Sequence, residues 1–364
     1  MEKRKTIIIG LTGHIISDQR INRIATTFAE NHFRVLVYYR SYFKFKPVDG
    51  PLVFPFETRA IHAVFTSGVL FYLWYNLLLF FKLLWVKTDY LYAVDSDTLP
   101  AFICLSFFKR KPFVFDSHEY FAEVPELSAS PLKKKIWHQV TEWGVRRSMV
   151  NITVGPELAT VLEKRYGKPF ISLRNVPFYA ALTPVEKLQP PVILYQGALN
   201  AGRELELLIE TMKDLPECRC IIAGEGDLSQ ALRDQAKDNR HIEFAGLLSP
   251  HALKELTPKC FAGFNLLAPE SLSYYYSLSN KYFDYMHAGV PSISSKLPEY
   301  MALNSTYQCG ECIENTRLDL LLTLRKWMYD EAHYQKLKEN AIIASGKLNW
   351  ENEQTQLLNC FKIS

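Results

Sequence analysis

Val192-Ile-Leu-Tyr195-Gln-Gly197-Ala-Leu-Asn-Ala-Gly202-Arg203-Glu-Leu-Glu206 reads as a short apolar run, a loop carrying two glycines, and the opening of a helix. An apolar run of this length bounded by turn residues fits a strand buried on both faces, as in a parallel sheet. Glycines let a ligand approach the backbone, and an arginine fork near a helix start suits a diphosphate, although Gly202 and Arg203 also fit an ordinary loop. The pattern recurs at Cys220 to Ala223, where Ala223-Gly224-Glu225-Gly226-Asp227 makes another strand-to-helix turn. That turn falls short of the full dinucleotide fingerprint.

Working outward, further strands are expected at Ile242 to Phe244, Gly263 to Leu267 and Ser292 to Ser294, with helical stretches between them. The first half repeats the alternation, with strands at Thr6 to Gly10, Arg34 to Tyr39, Tyr90 to Val94, Pro112 to Phe115 and Ile152 to Val154. Between its first two strands, Ile21, Ile24, Ala25 and Phe28 fall on one helical face. Strand and helix in alternation imply parallel sheets with crossover helices. The expected fold is therefore α/β, two doubly wound Rossmann-like domains facing across a cleft. The first spans 1–178 and the second 192–345, joined by a linker over 179–191 in the proline-rich stretch from Pro177 to Pro191 and followed by a C-terminal helix over 346–364. Ligands of open parallel sheets bind beyond the carboxyl ends of the strands, which is where the candidate residues are sought.

The 364 residues are long enough for two such domains, and the net charge of +4 argues against a dedicated nucleic-acid binder. Apolar residues at 48% and charged ones at 22% exclude wholesale disorder, collagen and coiled coil. Seven scattered cysteines do not make a secreted disulfide framework and point to a reducing compartment. Cys309 and Cys312 form a lone C-x-x-C, read as incidental thiols rather than a metal site. The apolar run after the charged N-terminus is too short for an export signal. Val64 to Phe81 is an uncharged stretch of 18 residues at the lower limit for a membrane span, but the strand expected at Tyr90 follows too closely for a crossing. A buried or membrane-surface helix fits better. The segment Tyr38 to Lys46, and Lys133-Lys134-Lys135-Ile136-Trp137 with Trp143, Arg146 and Arg147, combine rings and cations as bilayer-surface contacts do. Either set equally describes core aromatics behind a solvated face.

The richest constellation is Tyr274-Tyr-Tyr-Ser-Leu-Ser-Asn-Lys-Tyr-Phe-Asp-Tyr-Met-His-Ala-Gly-Val-Pro291. Ser277 or Ser279 can cap a helix whose N-terminus attracts anions, Lys281 adds a charge in its first turn, and Asp284 on nearly the same face can accept from a ribose diol. The plainer reading is a well-capped helix with an internal Lys281 to Asp284 pair. In the first half, Asp116-Ser-His118-Glu119 follows an expected strand and has the form of a capping box, while His118 stands where a cleft would lie. Gly13, His14, Asp18 and Arg20 occupy a long loop on the same side.

Together these segments resemble the retaining GT-B glycosyltransferases of the family 4 group, over almost the whole chain. Asp18-Gln-Arg20-Ile-Asn-Arg23 is similar to the family's opening, Asp116-Ser-His118-Glu119 to its central motif and Arg174-Asn175-Val-Pro177 to its segment before the linker. Tyr195-Gln-Gly197 and Ser279-Asn280-Lys281 through Asp284 to Pro291 resemble its donor-binding half. The resemblance implies that Arg203 and Lys281 hold the diphosphate, that Asp284 holds the ribose, and that Glu225 lies near the base. It implies that Gly197, Tyr276, Ser279 and Asn280 line the donor site, that His118 with Asp116 orients the sugar, and that the acceptor enters by Gly13, His14, Asp18 and Arg20. It further implies that the C-terminal helix packs back on the first domain. No metal or other cofactor is implied beyond a nucleoside diphosphate sugar as co-substrate, because two cations and a helix terminus can neutralise the departing group. The family commonly has two glutamates with seven residues between them; here Asp284 and Tyr276 stand in those places, with Glu270 as a substitute for the first.

The expected function is transfer of a sugar, with retention and without metal, to a cell-envelope, lipid-linked or exopolysaccharide acceptor. The expected place is the cytoplasm, peripherally on the inner face of the cell membrane through an anionic surface, with no nucleic-acid partner. The alternatives are a nucleotide-sugar 2-epimerase of the same fold and a catalytically silent sugar-nucleotide-binding scaffold.

Overall fold

The computed structural model describes residues 4–16, 18–41 and 53–362. The chain divides into two compact units: the first runs to Asn175 and takes in Ser271–Ser273 and the chain from Glu353, and the second comprises Val176–Glu270 and Tyr274–Asn352.

The first unit is built on a parallel sheet of β1 (Thr6–Gly10), β2 (Arg34–Arg40), β3 (Glu57–Ile61), β4 (Tyr90–Val94), β5 (Phe113–Ser117), β6 (Val150–Thr153) and β7 (Ile171–Ser172), in the order β3-β2-β1-β4-β5-β6-β7. Its central strands are largely apolar because helices cover both faces; every residue of β4 and β5 is buried, Asp116 and Ser117 at the end of β5 included. Gly10 at the end of β1 permits the closest approach, since a Cβ there would lie 2.6 Å from the Phe102 ring. The second unit repeats the plan with β8 (Val192–Gln196), β9 (Arg219–Ala223), β10 (Ile242–Gly246), β11 (Ala262–Asn265), β12 (Ser292–Ser295) and β13 (Gly310–Ile313), in the order β10-β9-β8-β11-β12-β13. In each sheet the order reverses once, between β1 and β4 and between β8 and β11. Successive loops there leave toward opposite faces and open a crevice at the strands' carboxyl ends.

The strands expected from sequence are all present, and β3, β7 and β13 are additional. All three lie at sheet edges. An edge strand needs no continuous apolar run: in β3 only Ile61 is buried, and β7 has two residues.

The uncharged stretch forms the helix Gly68–Leu84, and among the described residues no helix is long and apolar enough to cross a membrane. Its core face carries Phe71, Tyr75, Leu79 and Leu83, while Leu73, Trp74, Leu77 and Phe81 remain exposed. Of the aromatic and basic segment beginning at Tyr38, Tyr38 and Arg40 are buried in β2, with the Arg40 guanidinium 4.1 Å from the centre of the Phe71 ring. Residues 42–46 of that segment lie outside the described residues. The helix Trp350–Lys362 joins the first unit from Glu353, where Phe361 packs on Phe28 at 4.8 Å and Tyr90 at 5.1 Å.

Candidate functional site

In the first unit the residues beyond β1, β4 and β5 converge on His118. Asp116, the fourth residue of β5, is fully buried and accepts from Arg20 Nη2 at 2.7 Å, Arg20 Nε at 3.0 Å and Tyr92 Oη at 2.8 Å. Burial alone would raise its pKa, but Arg20 and then His118 outweigh that cost and hold it well below the usual range. Asp116 thus serves the strand end, and the capping box expected with Glu119 is not formed: no α-helix starts there, and Glu119 Oε2 accepts from Ser273 Oγ at 3.0 Å instead. His118 lies between two acids, its Nε2 3.4 Å from Asp116 Oδ2 and its Nδ1 3.6 Å from Asp95 Oδ2. Its backbone N–H donates to Asp95 Oδ1 at 2.8 Å. Burial alone lowers an imidazole pKa, but Asp95 and Asp116 override it and raise His118 to about 9. The ring is therefore a cation at neutral pH, and its Nε2 is buried without a full hydrogen bond among the described residues.

Two further acids complete this end of the sheet. Asp97, on the first turn of the helix Asp95–Lys109, accepts from Thr12 Oγ1, while its Oδ1 is buried without a partner. Burial, then the charge of Asp95, lifts its pKa to about 8. Glu119 is raised to about 7 for the same two reasons. Asp95 itself takes a left-handed backbone (φ 55°), as its turn between strand and helix demands. Sequence reading missed Thr12, Asp95 and Asp97; their signal was polar residues immediately past strand ends in Val94-Asp95-Ser-Asp97.

Of the loop expected between Gly13 and Arg20, Asp18, Arg20 and His14 are engaged within the first unit. Asp18 is the N-cap of the helix Gln19–Glu30, its Oδ1 accepting from the Ile21 N–H at 2.9 Å. Arg20 turns inward to Asp116 and also donates to the Leu173 carbonyl at 2.5 Å. His14 Nδ1 accepts from the Ile16 N–H at 3.3 Å, and its ring meets Tyr39 edge-on. At Gly13 an added Cβ would make ordinary van der Waals contact with Leu11 at 3.7 Å.

In the second unit a set of rings and cations gathers at β8. Lys281, in the first turn of the helix Asn280–His287, is buried with its Nζ 4.5 Å from the centre of the Tyr195 ring. Arg203 lies over Tyr274, its guanidinium carbon 5.2 Å from the ring centre. Burial and then the Arg203 charge lower the Lys281 ammonium to about 7. The two cations are thus close enough to repel, and among the described residues neither pairs with a carboxylate. The internal Lys281 to Asp284 pair is not formed: Asp284 Oδ2 accepts from Gln196 Nε2 at 2.8 Å. Ser279 stands at the N-cap but its hydroxyl donates to Asn265 Oδ1 at 2.7 Å, so it makes no capping bond. The Ser277 hydroxyl is buried without a partner. Exposed Asn280 begins the helix. Tyr195, Gln196 and Tyr274 stand within the quoted segments, but no role of their own was read from them; the ring of Tyr195, in an apolar run, looks like core.

Backbone crowding shapes this end of the sheet. Gly197 (φ 139°) and Gly224 (φ 154°) end β8 and β9 side by side, and a Cβ on Gly224 would lie 1.8 Å from the Gly197 carbonyl oxygen. Beyond them Glu225 pairs with Arg233 at 2.6 Å. Tyr276 meets Tyr275 edge-on at 5.0 Å, and Glu270 comes near Gly202, its Oε2 3.4 Å from where a Cβ would stand.

Residues 183–344 match the family model described as Glycosyl transferases group 1. No curated protein matches the chain significantly in sequence. Among solved structures the chain is similar to HepE of Anabaena in complex with UDP and glucose, at TM-score 0.78 and 15% identity, covering 99% of this chain and 100% of that one. It is also similar to sucrose-phosphate synthase of Thermosynechococcus elongatus, at TM-score 0.77 and 14% identity over 99% and 98% of the two chains. A glycosyltransferase of Rickettsia africae gives TM-score 0.71 and 12% identity over 100% of both chains. At such identities the likeness is one of fold, and it establishes the GT-B architecture of two Rossmann-like α/β domains.

Proposed function

We propose that this protein is a glycosyltransferase that moves a sugar from a nucleoside diphosphate sugar to a cell-envelope, lipid-linked or exopolysaccharide acceptor, with retention and without a metal ion. The match of residues 183–344 to glycosyl transferases group 1 supports the class, and the UDP and glucose bound by the similar HepE structure make a uridine nucleotide the first donor to try. The observation that carries the reading is the pair Arg203 and Lys281, held close together without acidic partners among the described residues, one of them buried. Burying a cation without a counter-ion is costly unless a ligand supplies the negative charge.

In this reading Arg203 and Lys281, with the uncapped start of the helix Asn280–His287, offset charge that grows on the leaving diphosphate. Asp284, steadied by Gln196, takes the ribose hydroxyls, and Gly197 and Gly224 keep side chains out of the donor's way. His118, as an imidazolium fixed by Asp95 and Asp116, donates to a sugar hydroxyl rather than acting as a base. The enzyme works at the cytoplasmic face of the membrane, a placement supported by the exposed apolar side of the helix Gly68–Leu84.

A thermal-shift panel of nucleotides with EDTA present tests the donor assignment. Stabilisation by a nucleoside diphosphate is expected, and no shift with any nucleotide would sink the reading. Product analysis then separates transfer from 2-epimerisation, which consumes the donor without an acceptor, and from binding without turnover.

A further inference from the structure

Three helices of the first unit enclose an apolar groove of about 880 Å³. Leu73, Leu77 and Phe81 line it from the helix Gly68–Leu84, Phe108 from Asp95–Lys109, and Ile136 and Trp137 from Pro131–Arg147. Leu73 is 59% exposed, Leu77 49%, Phe81 61% and Ile136 53%, so the groove is open to water and apolar at once. The volume lies in the range of about 300 to 1,000 Å³ typical of small-molecule sites. A protein partner would instead cover a broad face of about 800 Å² per side.

The few charges in the lining describe the occupant's shape. Glu119, the residue after His118, borders the groove, so the groove reaches the candidate site. Lys133 borders it on the third helix, exposed and without an ion pair among the described residues, whereas its neighbour Lys134 is taken by Glu123 at 2.5 Å. Exposed Lys135 stands on the same helix, and Glu126 is the other acid of the lining. An elongated apolar site with a free ammonium beside it, running to a sugar-handling histidine, complements an amphiphile whose anionic head joins a hydrocarbon chain to a glycan.

We infer that this groove holds the hydrocarbon chain of a phosphate-linked lipid acceptor, with Lys133 at the phosphate and the acceptor's hydroxyl end directed past Glu119 to His118. The inference rests on the glycosyltransferase reading and names the acceptor class for that site.

The test uses the full chain, with calorimetric binding of dodecyl phosphate below its micelle concentration. Dodecyl maltoside, inorganic phosphate and UDP are titrated in parallel. Dodecyl phosphate is expected to bind and inorganic phosphate not to. Leu77→Gln combined with Ile136→Gln, both at exposed positions, weakens both dodecyl compounds about tenfold or more. Lys133→Gln weakens dodecyl phosphate alone, and UDP binding is unchanged in every variant. Equal dodecyl binding before and after the groove substitutions overturns the inference. So does a dimer that those substitutions dissociate in a protein that takes up no dodecyl chain, which assigns the groove to a second copy. UDP binding without any dodecyl binding overturns the groove assignment and leaves the donor reading standing, whereas dodecyl binding without UDP binding removes the donor reading and with it the acceptor role.

Discussion

Arg20 holds Asp116 through two parallel hydrogen bonds, Nε to Oδ2 at 3.0 Å and Nη2 to Oδ1 at 2.7 Å, with both side chains excluded from water. The pair links the helix after β1 to the end of β5, so it fixes the strand from which His118 projects. Removing one member strands the other as a buried charge. Arg20→Ala is expected to cost about 3–5 kcal/mol in urea unfolding. The double variant Arg20→Met, Asp116→Leu should recover much of that loss, because neither charge is then left alone. An Arg20→Ala protein as stable as the wild type would show that Asp116 is not held this way.

His118 ties stability to pH on the alkaline side. Its folded pKa of about 9 lies above the unfolded value of about 6.5, so its contribution is full below the lower value and is lost as pH rises through the higher one. Asp116, with a lowered pKa, acts in the opposite window: its contribution is present above about pH 4 and fades as pH falls below that. Asp97, raised to about 8, adds a separate decline as pH rises toward that value. Comparison with His118→Gln reads the histidine together with its hold on Asp95, Asp97 and Asp116, whose pKa values its charge lowers. Between pH 6 and 9.5 the wild type should lose about 2–4 kcal/mol more than the variant in urea unfolding. Parallel pH profiles would place the ring outside the influence of Asp95 and Asp116.

Gly224 and Gly13 form a matched pair. A methyl on Gly224 meets the Gly197 carbonyl oxygen at 1.8 Å, and the backbone there (φ 154°) is one that other residues rarely adopt. Neither side of that contact is a flexible side chain. Gly224→Ala should cost about 2 kcal/mol or more in thermal or urea unfolding and disturb nucleotide binding. At Gly13 the nearest atom is 3.7 Å away, and Gly13→Ala should stay within about 0.5 kcal/mol of wild type. Similar costs at the two sites would contradict the packing of β8 against β9.

The contrast between β4 and β3 explains how far the fold could be read from sequence. A parallel strand covered on both faces runs largely apolar, so Tyr90–Val94 announces itself, while Glu57–Ile61 at the edge buries a single residue and does not. The candidate site divides along similar lines. His118, Lys281 and Asp284 could be picked out because charged or polar residues interrupt patterned segments. Their partners could not. That Arg20 reaches Asp116, 96 positions away, or that Gln196 rather than Lys281 meets Asp284, depends on which strand ends the topology brings together. Asp18 shows a structural role beside the expected one: a residue expected in a ligand loop also caps the helix that follows.

Lys281 offers the sharpest test of the donor site because its charge is conditional. Burial and Arg203 hold its pKa at about 7, so near neutrality only part of the population carries the ammonium. A diphosphate beside it favours the charged form and raises that pKa, so binding takes up protons once the pH exceeds about 7. Affinity for a nucleoside diphosphate should therefore decline as the pH rises from about 7 toward 9. Calorimetry in two buffers of different ionisation enthalpy should register net proton uptake at pH 8. Lys281→Ala should weaken binding by about 1.5–3 kcal/mol at pH 6.5 and abolish the proton uptake, while Arg203→Ala should weaken binding yet keep it. Affinity that ignores pH in the wild type, or proton uptake that survives in Lys281→Ala, would remove Lys281 from the diphosphate.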